Sequence, residues 1–181
     1  MLVNVSLKLA RHASPIGCVV ISAEARAILG SYYRQYRTLL SEDLQVTLSA
    51  IEAFSAVEYL EVLRLRVALR YELAKVFESS DLLALPSTVN TAPTVTDREM
   101  ETGFLDPQVI NAMCRFCFLS NLTGSPALSA PVGKDGNGRP IGFQLVGDAW
   151  DEASVLAASA HLERIGAARV EKPAAGIDLL G

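Results

Sequence analysis

The stretch from Asn121 to Trp150, NLTGSPALSAPVGKDGNGRPIGFQLVGDAW, limits the possible folds more than any other part of this chain. Gly124 and Pro126 close a preceding helix, Ala127 to Val132 reads as a strand, and Ile141 to Val146 reads as its return. Between them, Asp135-Gly136 and Asn137-Gly138 supply the turn chemistry that a tight hairpin requires. A hairpin this apolar has to be covered, so the helices on either side of it are expected to pack on its faces. The next helix starts at Asp148 or Asp151 and runs to about Ile165, with Val155, Leu156, Ala158, Ala160, Leu162 and Ile165 as its buried side and Gly166 as its stop.

Upstream, Leu2 to Leu9 alternate imperfectly, as a strand would. Ser22 to about Leu40 carries apolar residues at three-to-four spacing and predicts an amphipathic helix with Ser22 as its N-cap. A short helical segment follows around Leu44 to Ala53. The strongest helix signal opens at Ser55, where Ser55 and Glu58 have capping-box spacing, and the helix should reach about Glu78. Leu60, Leu63, Val67, Tyr71, Ala74 and Phe77 form its apolar stripe, and Glu61, Arg64, Arg66, Arg70, Glu72 and Lys75 are expected on a solvated face. Leu82 to Leu85, stopped by Pro86, suits a strand buried on both faces. Pro86 to Gly103 reads as a long loop, and Asp106-Pro107 as a helix start leading to about Leu122.

Half of the 181 residues are apolar, which is ample for one ordinary domain. Net charge is −4 with the basic residues dispersed, so neither nucleic acid nor an anionic membrane surface is expected as a partner. The longest uncharged stretch, Phe116 to Gly133, is interrupted by Asn121, Gly124, Pro126 and Pro131, and no transmembrane segment is expected from it. Three cysteines do not make a secreted disulfide framework, and the N-terminus lacks the order of a signal peptide; a reducing, cytoplasmic setting is expected.

Catalytic and ligand-binding signals are sparse. Cys114 and Cys117 form a Cys-x-x-Cys in mid-helix with no second pair, which favours packing over redox or zinc chemistry. His12 and His161 have no ligand-spaced partner, and no metal or cofactor is expected. None of Lys8, Lys75, Lys134 and Lys172 sits in a Ser/Gly-rich setting, and Ser125 reads as a turn serine. The glycines from Gly136 to Gly138 lie between strands, with no helix N-terminus to receive an anion.

Three segments in series, DLLALPSTVNTAP (Asp81 to Pro93), NLTGSPALSAPVG (Asn121 to Gly133) and RPIGFQLVGDAWDEASVL (Arg139 to Leu156), resemble the C-terminal half of the amidase-signature hydrolases. The resemblance spans about Leu2 to Arg164 and implies an α/β fold, an α/β/α sandwich around a mixed sheet, present here only as its C-terminal portion. It divides the chain into an incomplete amidase-signature domain at 1–172 and a loose tail at 173–181. It also implies hydrolysis of a carboxamide through an acyl-enzyme, by a lysine, a serine held by a cis peptide and a nucleophilic serine in a Gly/Ser-rich signature. No Gly-Gly-Ser-Ser-Gly-Gly-like string occurs in these residues, so no catalytic residue is assigned and the chain alone is expected to be inactive.

Within the family, the A subunits of transfer-RNA amidotransferases hold the ammonium group of glutamine with a carboxylate in the helix before the Asn-Leu-x-Gly turn. The matching place here is about Cys114, an uncharged thiol. Met113, Cys114, Cys117 and Phe118 instead suggest an apolar substrate-pocket wall, and Asp148 to Trp150 is similar to plant-type fatty acid amide hydrolases. An apolar or N-acyl amide is the expected small-molecule substrate of the complete enzyme. The alternatives are glutamine-dependent transfer-RNA amidation or a non-catalytic interaction module completed in trans. Strand edges and helix faces that pair with an absent half imply self-association or pairing with that half.

Overall fold

The structure is a computed structural model, and it describes residues 2–171. The expected loose tail at 173–181 and the boundary at 172 lie outside the described residues. Seven α-helices and three strands are present among those residues: α1 (Ala13–Tyr36), α2 (Glu42–Ala50), α3 (Ala56–Phe77), β1 (Leu82–Pro86), α4 (Asp97–Thr102), α5 (Pro107–Cys114), α6 (Cys117–Thr123), β2 (Ala127–Lys134), β3 (Pro140–Gly147) and α7 (Glu152–Arg164). The α/β class is as expected, and the three strands form an antiparallel sheet in the order β1-β3-β2.

The hairpin forms as its turn residues dictate. Asp135 Oδ1 accepts from the backbone N–H groups of Asn137 (2.8 Å) and Arg139 (2.9 Å), and Gly138 takes φ +78°, which glycine adopts without strain. The register slips between Pro131 and Gly133, a bulge at the proline that has no N–H for the ladder. The long loop after β1 is fastened to this turn. Thr91 Oγ1 donates to Asp135 at 2.6 Å, while the Arg139 guanidinium donates to Ala92 O (2.8 Å) and Thr94 Oγ1 (2.9 Å).

The Thr91 bond, then the Arg139 backbone bond, hold the Asp135 carboxyl below its ordinary value. A carboxyl depressed in the folded state stabilises above its unfolded-state value, and that contribution is lost as pH falls through the lower folded value. Asp135→Asn should therefore lower the urea midpoint at pH 7 and flatten part of the decline in stability on acidification below about pH 4. Urea melts at stepped pH values check both effects; an unchanged midpoint at pH 7 would remove Asp135 from the fastening.

The sheet has two different faces. Leu128, Ala130 and Leu145 point to α7, whose Val155 and Ser159 are buried; Ala127, Ser129, Gln144 and Val146 alternate to the other face. A helical core forms where Ala13, Ile16 and Val20 of α1 meet Leu69 and Leu73 of α3 and Leu119 and Leu122 of α6. Arg66 Nε donates to Leu122 O at 2.8 Å, satisfying a carbonyl in the last turn of α6.

Several expectations are corrected. Residues 2–7 form no strand, and Leu2 is 99 % exposed. The segment is instead held where the Glu72 carboxylate accepts from Lys8 N (2.7 Å) and Leu9 N (2.8 Å). Glu72 and Arg66 therefore bind other segments and are not on a purely solvated face. Helix α1 begins at Ala13, so Ser22 is interior and caps nothing; Pro15 falls in the first turn, where its missing N–H leaves no bond unmade.

On α3 the capping box forms as expected, with Glu58 N donating to Ser55 Oγ and Ser55 N to Glu58. The buried side, however, is Leu69, Leu73 and Val76. Of the expected stripe, Leu63 and Phe77 pack on the core, while Leu60 and Val67 are exposed and Tyr71 is 70 % exposed. The helix is apolar on two sides, and periodicity alone does not say which side is covered.

Strand β1 is a half-buried strand at the sheet edge and is not covered on both faces; Ala84 and Pro86 are exposed. The charged end of the long loop is α4, capped by Thr96 and Glu99. The single helix expected after Asp106 is two, because Ala112 O accepts from Val89 N at 3.1 Å and so draws the β1 loop into the helix ladder, one turn before the break at Arg115 and Phe116. On α7, Leu156, Ala160 and Ile165 are exposed; the expected buried side merges two helix faces.

The helical stretch Ala10–Leu39, 30 residues long, contains an 18-residue window of mean hydropathy 1.3, by length and composition apolar enough to cross a membrane. One side of it is packed, with Ala13, Ile16, Val20 and Tyr33 buried, while Ile21 and Ile28 are exposed and a third of the apolar window is buried.

Candidate functional site

The end of α6 and the sheet face beneath it border an open polar recess of about 510 Å³. Helix α6 stops because Gly124 takes φ +75° and donates its N–H to Ser120 O at 2.8 Å. Ser125 and Pro126 then lead directly into β2, whose register sets Ser129 opposite Gln144. Cys117 and Ser120 approach from α6, and Ser125, Ser129 and Gln144 from the turn and sheet. Gly142 is required here: a Cβ on it would lie 2.5 Å from Ser87 Oγ and 3.1 Å from Ser129 Oγ, and these two hydroxyls are hydrogen-bonded to each other across it.

The recess is electrically neutral. No lysine, histidine, aspartate or glutamate lines it, so its serines have no adjacent base to activate them. Thr123 Oγ1 donates to Leu119 O at 2.8 Å and reaches Ser125 Oγ at 3.2 Å, which makes Ser125 part of the helix-ending turn. Cys117 Sγ lies 3.7 Å from Ser87 O and 3.8 Å from Met113 O, and its one proton serves one of them at a time. The groups that this chain places in the recess are hydroxyls, carboxamides and a thiol.

Three of the four residues expected to form a substrate wall are divided between two cavities. Cys117 borders the polar recess, whereas Cys114 and Phe118 line a separate, mostly apolar cavity of about 280 Å³ with Cys18, Phe104 and Ile110. Met113 lines neither of these and is half-exposed. Phe118 also has a packing role, because a Cβ on Gly17 would come within 2.0 Å of its ring. Cys114 ends α5 and Cys117 begins α6, so the pair straddles a helix break, and the sequence-distant Cys18 joins them. All three are free thiols. Burial pushes the Cys114 thiol up, and the neighbouring Cys117 and Cys18 add to the rise, so it is uncharged at neutral pH.

His12 and His161 are exposed beside Arg11 and Arg164. Among the described residues no group of three His, Cys, Asp or Glu side chains is placed to hold a metal ion. A third cavity, of about 330 Å³, lies between the uncovered side of α3 (Val67, Tyr71, Ala74) and Asp148-Ala149. Beside it, Trp150 is 91 % exposed and is the one non-glycine residue with positive φ (68°) among those described.

Sequence reasoning missed Gln144, Ser129 and Ser87. The available signal was Gln144 itself, an amide within the apolar run Phe143 to Val146.

Comparison with known proteins identifies this arrangement. The family model described as Amidase matches residues 7–156. The fatty acid amide hydrolase of Oryza sativa subsp. indica is 32 % identical over 163 residues, covering 90 % of this chain and 27 % of that protein. The A subunit of the glutamyl-tRNA(Gln) amidotransferase of Granulibacter bethesdensis is 37 % identical over 122 residues, covering 67 % of this chain and 23 % of that protein. A crystal structure of an amidase superposes with a TM-score of 0.76 at 26 % identity, over 89 % of this chain and 37 % of that one. The chain thus spans about a quarter of the length of the curated relatives it matches. With the family model covering most of its length and an amidase sharing its fold, this chain belongs to the amidase-signature hydrolase family.

Proposed function

We propose that this chain forms the C-terminal portion of a serine-dependent amide hydrolase acting on an apolar or N-acyl carboxamide, and that the lysine and serines of the acyl-enzyme chemistry come from polypeptide outside these 181 residues. The similarity to fatty acid amide hydrolases over most of the chain carries the proposal, and the recess adds hydrogen-bonding groups with no base of its own. The uncovered side of α3, with Leu60, Val67 and Tyr71, and the exposed Trp150 support a further polypeptide packing there. Without that partner, the same surfaces favour self-association.

The second reading is glutamine-dependent transfer-RNA amidation, favoured by the identity to an amidotransferase A subunit. It is disfavoured by Cys114, since a half-buried neutral thiol supplies no charge for an ammonium group.

Co-expression with the N-terminal portion of a plant fatty acid amide hydrolase tests the choice. The expected result is a stable complex that releases ammonia from long-chain primary amides and leaves glutamine intact. Glutamine hydrolysis by that complex would favour the second reading, and a soluble complex inert towards both would overturn the proposal.

A further inference from the structure

The three free thiols are grouped in the fold differently from their order in the chain. Cys114 and Cys117 are close in sequence, yet they border different cavities. Cys117 Sγ lies 3.7 Å from Ser87 O and borders the polar recess, whereas Cys114 lines the apolar cavity of about 280 Å³ together with Cys18 of α1.

Two further residues fix how α1 and α5 face each other across that cavity. Ser14 Oγ donates to Asn111 Oδ1 at 2.7 Å and so ties the first turn of α1 to α5. Cys18 stands one turn beyond Ser14, and Cys114 one turn beyond Asn111, so each thiol shares a helix face with a member of the bonded pair. All four residues line the one cavity, and the two thiols are near enough for charge on Cys18 to act on Cys114. Cys18 is exposed, which gives an oxidant in solution access to it.

We propose that Cys18 and Cys114 are a redox-sensitive clasp: an oxidant of the hydroperoxide class joins them in a disulfide that fastens α5 to α1 across the apolar cavity. The peroxide O–O bond breaks as the Cys18 thiol becomes a sulfenic acid, and water or an alcohol leaves. Cys114 then attacks that sulfur; the S–S bond forms, the S–O bond breaks, and the hydroxyl departs as water with the Cys114 proton. Two thiols are oxidised and one hydroperoxide is reduced. Burial pushes both thiols up, with the Ser14 hydroxyl partly offsetting the rise at Cys18, so few are ionised at neutral pH and the clasp rests open. The clasp is independent of the hydrolase reading, because the acyl-enzyme chemistry uses neither thiol.

The test is oxidation of the folded 181-residue chain with hydrogen peroxide, followed by peptide mapping without reduction. Trypsin cleaves after Arg115 and so separates Cys114 from Cys117. The expected products are a linked pair of peptides, 12–26 with 99–115, a free thiol remaining at Cys117, and slower hydrogen exchange across α5, all reversed by dithiothreitol. In urea the preference should invert, because an unfolded chain closes the short Cys114–Cys117 loop more readily than the long one. Cys117→Ser should leave the link intact, and Cys114→Ser should abolish it; if the second variant fails to fold, the wild-type map decides alone. A Cys114–Cys117 bond in the folded chain, links between separate chains only, sulfinic acid at Cys18 in place of a link, or three thiols that stay reduced under excess peroxide would each overturn the clasp.

Discussion

Leu73→Ala should destabilise the protein by about 2–5 kcal/mol. Leu73 is 1 % exposed at the meeting of α1, α3 and α6, in contact with the cluster that includes Leu69, Ile16 and Leu119. Removing its isobutyl group forfeits the transfer free energy and leaves a cavity whose walls belong to three helices, which limits collapse. Against the usual 5–15 kcal/mol of a domain, that is a large fraction. Leu60→Ala, on the same helix but exposed, should change stability by no more than about 0.5 kcal/mol. Urea melts of the two variants measure the contrast. Equal losses would mean that the stripe through Leu60 and Tyr71 is a covered face and that the assignment of the core is wrong.

Gly17→Ala should cost about 1–3 kcal/mol through overpacking, although alanine is the better helix former. The added Cβ would sit 2.0 Å from Phe118 Cδ1 and 2.4 Å from Cε1, distances that only a displacement of the ring or of α1 relieves. An aromatic ring packed between helices has no free end to move aside. The effect should depend on that ring: in a Phe118→Leu background the same substitution should cost measurably less, giving a coupling term in a double-mutant cycle. Independent, additive effects would show that the helices separate without strain and that the α1–α6 contact contributes little.

The parts of the fold governed by neighbouring residues were legible in the sequence. Ser55 with Glu58, Asp106 with Pro107, Gly124 and Asp151 each mark a helix end through bonds within a turn, and the turn from Asp135 to Arg139 closes by its own aspartate. The misread parts depend on distant segments. The N-terminal residues are bound by Glu72, about sixty positions on, and the start of α1 is buried by α3 and α6. The helix after Asp106 is interrupted where a loop amide from Val89 reaches in.

The site was less legible than the fold. Met113, Cys114, Cys117 and Phe118 have the i,i+3 and i,i+4 spacing of one apolar helix face, but that face borders two cavities, with Cys117 at the polar recess and Cys114 and Phe118 at the other. The recess draws on α6, the turn after it and two strands, so Ser129 and Gln144 become its members only once the register is known. The family, by contrast, was legible through the serial order of three segments, because that order reflects shared ancestry and does not depend on local propensity.

The central claim is that this chain supplies the hydrogen-bonding floor of an amide-hydrolase site and not its reacting groups. The most direct measurement is ammonia release from hexanamide and a long-chain primary amide by the purified 181-residue chain alone. The expected result is a rate equal to that of buffer. Turnover that stays with the chain through stringent purification, and that is lost on substituting a recess serine such as Ser125 or Ser129, would contradict the claim.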